Sequence, residues 1–80
     1  SKAEALLVEC YTTVAEYICD TFLSAWEEEF ERKIFIRGCP DLSWGKYRLE
    51  CQGSLSQVEH RINVLQKREG WAIVHRSPSA

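Results

Sequence analysis

Cys10, Cys19, Cys39 and Cys51, with His60 and His75, are the side chains best suited to metal binding or nucleophilic attack, and their spacing decides how far either goes. A structural zinc site draws its ligands as close pairs, such as CxxC or HxxxH, and neither occurs. Nucleophilic catalysis needs a thiolate beside a base. Cys39, two residues after Arg37, is the one candidate, with His60 or His75 as its base. Glu27, Glu28 and Glu29 are consecutive, so on a helix they fan around the axis and cannot converge on a proton or a cation. They read as a solvated helix end. The glycines, at 38, 45, 53 and 70, stand apart and build no phosphate-cradling loop. The expectation is a chain with no catalytic residue, no metal site and no cofactor.

Binding is the better-supported chemistry. Through Glu31 the chain carries eight acids against one lysine, and from Arg32 onward nine Lys or Arg against four acids. Such asymmetry points to association or to a charged partner. Lys33, Arg37, Lys46 and Arg48 share one phase of two alternating segments, with Phe35 among them. Basic groups around a stacking aromatic would suit single-stranded RNA or DNA. Outward Lys and Arg on strands also serve simply as edge protection, and no RNP or KH glycine motif accompanies them.

Tyr11, Tyr17, Phe22, Trp26 and Phe30 form a second constellation on the acidic half. Aromatics are favoured at the centres of protein interfaces. The polar side of this segment is acidic, whereas a helix lying on a membrane normally carries a basic one. The sequence therefore favours a non-catalytic protein-interaction or oligomerisation module, its partner a second copy in a homodimer or another protein. Nucleic-acid binding is the alternative, and no membrane partner is expected.

The elements that must position these residues follow from periodicity. Leu7, Tyr11, Val14, Ile18, Phe22 and Ala25 recur at intervals of three and four, which predicts a helix from about Lys2 to about Glu29. That helix would be about 42 Å long. So small a domain cannot cover it, so it breaks near Thr12-Thr13 or Thr21, or meets another chain. Ile34 and Ile36 then alternate with Lys33, Phe35 and Arg37, a strand. After the Gly38 to Asp41 turn, Tyr47, Leu49 and Cys51 point inward on a second strand, and the two are expected to pair as an antiparallel hairpin. Ser54 and Gln57 form a capping box before a helix whose buried stripe is Leu55, Val58, Ile62 and Leu65, with Gly70 as its C-terminal cap. Trp71 to His75 closes the chain as a strand reached by a right-handed crossover.

The predicted fold class is α+β, in the order α-β-β-α-β, with a three-stranded sheet and helices on one face, which leaves a sheet edge open to a partner. One strand before the first helix would complete the βαββαβ order of a ferredoxin-like fold. Residues 1–76 make a single domain and 77–80 a loose tail. The longest apolar runs are four residues, too short to span a bilayer. Cys10 and Cys19, nine apart on a helix, face opposite ways and cannot pair. Without CxxC or a secretory signal, reduced thiols and an intracellular location are expected, with a Cys39 to Cys51 bridge as the exception left open.

Overall fold

The computed structural model describes residues 3–69 and 73–76, with the backbone alone for 69 and 73–76. It is an α+β fold. The elements are β1 (Ala5–Cys10), α1 (Thr12–Thr21), α2 (Leu23–Phe30), β2 (Lys33–Gly38), β3 (Tyr47–Gly53), α3 (Leu55–Glu69) and β4 (Ile73–Arg76). The sheet has four strands in the order β3-β1-β2-β4. β1 and β2 run parallel at its centre, while β3 and β4 flank them antiparallel.

The start of the predicted long helix is therefore a strand. Ala5-Leu6-Leu7-Val8 is a continuous apolar run, and periodicity alone cannot separate a short run buried on both faces from a helix. One residue, Tyr11, joins β1 to α1, so no Gly or Pro marks the change. The helix break predicted near Thr21 falls at Phe22, which ends α1 and starts α2. α2 ends at Glu31, held left-handed at φ 55°, which turns the chain back into β2.

The expected hairpin does not form, because β1 lies between β2 and β3. That insertion also sends the helices to opposite faces. Both crossovers, β1 to β2 and β3 to β4, travel the same way across the sheet but between oppositely directed strands. The right-handed preference then requires their helices on opposite sides. Ala5, Leu7 and Phe35 meet Val58, Ile62 and Leu65 of α3 on one face. Leu6, Val8, Ile34 and Ile36 meet Val14, Ile18, Leu23 and Trp26 of α1 and α2 on the other. A ferredoxin-like sheet splits its first crossover with an intervening strand, whereas here β1 and β2 are direct neighbours, so only the βαββαβ order is shared.

α3 starts as expected. Ser54 N–H donates to Gln57 Oε1 at 2.9 Å and Gln57 N–H to Ser54 Oγ at 3.2 Å. Glu4 adds to this start, since Leu55 N–H donates to its carboxylate at 2.6 Å. Leu55 is part-exposed rather than buried, because it sits in that first turn. Gly53, at φ 155°, takes a conformation that favours glycine, and a side chain there would strike Gln57. The predicted cap Gly70, and Trp71 and Ala72 of the predicted last strand, lie outside the described residues.

A candidate docking cleft and a buried ion-pair cluster

Because α1 and α2 pack over β1 and β2, they leave β3 bare on their side of the sheet. The result is an apolar cleft of about 480 Å³. Val8, Ile34 and Ile36 form its floor, Val14, Ile18 and Trp26 its helical wall, and Phe30, Trp44, Tyr47 and Leu49 its rim. Those rim residues are open to solvent: Phe30 is 48% exposed, Trp44 67%, Tyr47 79% and Leu49 49%. Monomeric proteins seldom leave large apolar side chains grouped in this way without a use for them.

Of the five aromatics the sequence singled out, Trp26 and Phe30 line the cleft. Phe22 stacks on Trp26 with ring centroids 5.6 Å apart, and Tyr17 meets Phe22 edge-on at 5.6 Å. Tyr11 packs against Trp44 at 6.2 Å. Phe30, at the end of the helical stripe, stands at the cleft's edge and does not close the core. Sequence reasoning passed over Trp44, although a tryptophan between Ser43 and Gly45, in a turn, is an exposed-aromatic signal.

Tyr47 and Leu49 do not face a core. β3 carries a bulge: Leu7 pairs with Cys51 and Val8 with Leu49, leaving Glu50 as the extra residue. Cys51 accordingly packs with the α3 side while Leu49 lines the cleft on the other.

The basic constellation is dispersed by the same topology. Phe35 is buried in the α3-facing core at 1% exposure. Arg37, expected to face outward, is 3% exposed and bonds through Nη1 to Glu9, itself 1% exposed. Arg48 lies across Glu9 on the other neighbouring strand and donates from Nε to its Oε1 at 2.6 Å. Glu9 thus sits between two guanidiniums on three adjacent strands. Lys33 is half-buried and within 3.8 Å of Glu27, whose carboxylate also accepts the Ile34 N–H at 2.8 Å. Glu27 is therefore a tie between α2 and β2, not a solvated end. Lys46, the last of the five, is exposed at the cleft rim.

The thiols show no activation. All four cysteines are free, so the Cys39 to Cys51 bridge is not formed. Burial, then the Glu9 charge, pushes the Cys39 thiol up to about 11, although Arg37 Nη1 lies 3.3 Å from its sulfur. Cys19 is likewise pushed up to about 11, chiefly by burial. An activated nucleophile needs the opposite shift. Among the described residues no three His, Cys, Asp or Glu side chains gather as a metal set, and no helix is long and apolar enough to cross a membrane.

Compared with protein-family models, curated proteins and solved structures, the chain matches none.

Proposed function

We propose that this chain is a non-catalytic protein-interaction module that docks a polypeptide, a second copy or another protein, against the apolar cleft and the free edge of β3. The observation that carries the reading is the grouping of Phe30, Trp44, Tyr47 and Leu49, all exposed, around one cleft beside a strand edge left unpaired among the described residues. A free strand edge supplies a row of backbone donors and acceptors, and pockets beside it supply selectivity for side chains. The Tyr17, Phe22 and Trp26 ladder extends the apolar surface away from the cleft along α1 and α2.

Panning a random peptide library against the protein tests this. Peptides rich in apolar residues should be enriched, and Leu49→Asp should abolish their binding while leaving the far-ultraviolet circular dichroism unchanged. A library that enriches nothing, with a protein that does not self-associate, would overturn the reading. Nucleic-acid binding is the competing class. Fluorescence anisotropy with oligonucleotides at low salt, where phosphate contacts are strongest, should show no binding.

A further inference from the structure

We infer that the occupant of the β3 edge is a second copy of this chain, paired antiparallel to β3 about a two-fold axis at Leu49. This rests on the docking reading above and names its partner. The strand's own charges select the register. With Leu49 opposite Leu49 of the second copy, Arg48 falls opposite Glu50 of the other chain, and the two-fold repeats that pair. Shifting the axis to residue 48 sets Arg48 against Arg48, and shifting it to residue 50 sets Glu50 against Glu50. Like charges directly opposite are destabilising, and unlike ones stabilising.

Both charged side chains are already fixed by their own protomer. Glu9 holds Arg48 through Nε, and Arg61 holds Glu50 through an Nη2 contact of 2.7 Å and an Nε bond of 2.8 Å. Pairing would therefore extend an alternating run from Glu9 to Arg48, then to Glu50 and Arg61 of the second copy. Little side-chain freedom is lost in making it.

The axis stands normal to the sheet, so both α1–α2 layers fall on the same side. The two four-stranded sheets become one, and Tyr47 and Leu49 of each chain rise beside those of the other between the helix layers. Each cleft then gains the wall it lacks. Taking aromatic side chains at roughly 200 Å², the exposed parts of Phe30, Trp44, Tyr47 and Leu49 amount to about 500 Å² per copy. Two copies supply on the order of 1,000 Å², the least a specific interface needs before backbone and polar atoms are added. Glu50, held by Arg61 of α3, keeps the same face as Arg48, so residues 48–50 alternate regularly along the free edge, and the bulge beyond them confines the pairing to that short stretch.

Sedimentation velocity from micromolar to near-millimolar concentration, on the full chain, tests the inference. The weight-average mass should rise to twice that of the monomer. Leu49→Lys should hold it at the monomer value at every concentration, with an unchanged urea midpoint at the lowest one. Leu49→Cys, oxidised at the dimer concentration, should give a disulfide joining position 49 of one copy to position 49 of the other, read by mass spectrometry of the linked peptide, because directly opposed Cβ atoms lie about 4.5–5.5 Å apart. A dimer that survives Leu49→Lys overturns the inference. So does a monomer at all concentrations: if that monomer still binds the enriched peptides through Leu49, the docking reading stands alone, and if it binds none, both fall.

Discussion

Replacing Glu9 by Gln removes one charge from a place with almost no water. Glu9 is 1% exposed and Arg37 3%, so the substitution takes the negative charge away from a buried guanidinium that it bonds directly. Breaking a buried pair from one side costs about 3–5 kcal/mol. A chain of this length has about 4–12 kcal/mol in total, so Glu9→Gln should remove about a quarter of it or more. The corresponding fall in Tm, at about 4–8 °C per kcal/mol, is at least about 12 °C. Urea unfolding followed by tryptophan fluorescence measures the loss directly. Two companions make the test specific. Arg48→Met should cost less than about 1 kcal/mol, because the Arg48 side chain is 54% exposed and solvent screens it. The apolar pair Glu9→Leu with Arg37→Met should recover most of the loss, since no buried charge remains. A Glu9→Gln cost below about 1 kcal/mol would refute the reasoning that the buried Glu9 charge stabilises the fold.

Other expectations follow from single contacts. Ser54→Ala should cost about 1 kcal/mol by the same unfolding assay, as the capping box of α3 loses its side-chain acceptor. Glu31→Gly should stabilise by about 0.5 kcal/mol, the relief of a left-handed residue outweighing the added freedom of the unfolded chain. The folded pKa of Cys19 and Cys39 is about 11 against an ordinary value of 9.0. Unfolded thiols ionise first, so stability present below pH 9 should fall as pH rises toward 11, which a urea series across that range checks. Alkylation in the folded state should be slow at all four cysteines at neutral pH, with Cys39 no faster than the rest.

Where local signals were unambiguous, the sequence could be read directly. Ser54 and Gln57 announced the start of α3, and Val58, Ile62 and Leu65 its buried stripe, because capping and a period of 3.6 are properties of the segment itself. Two features hide the rest, the first being the burial of both faces of the central strands. Leu6 and Leu7 of β1 enter different cores, so they show no alternation and merge with the helical stripe that follows. In β2, Phe35 alternates with the isoleucines yet is as buried as they are, so its phase implied an outer face that α3 in fact covers. With β1 unrecognised, β2 and β3 were left as each other's natural partners. The bulge then moved Leu49 and Cys51 to different faces, a shift no simple alternation encodes. Of the site, Trp26 and Phe30 were visible as excess aromatic surface. The rim of Trp44, Tyr47 and Leu49 depended on knowing that β3 is an edge.

Hydrogen exchange of the β3 amides as a function of protein concentration tests the docking edge most directly. Amides within residues 47–53 should gain protection as concentration rises, or when an enriched peptide is added, while those of β1 and β2 keep their rates. β3 exchange that stays the same at every concentration and with peptide at saturation would contradict docking at that edge.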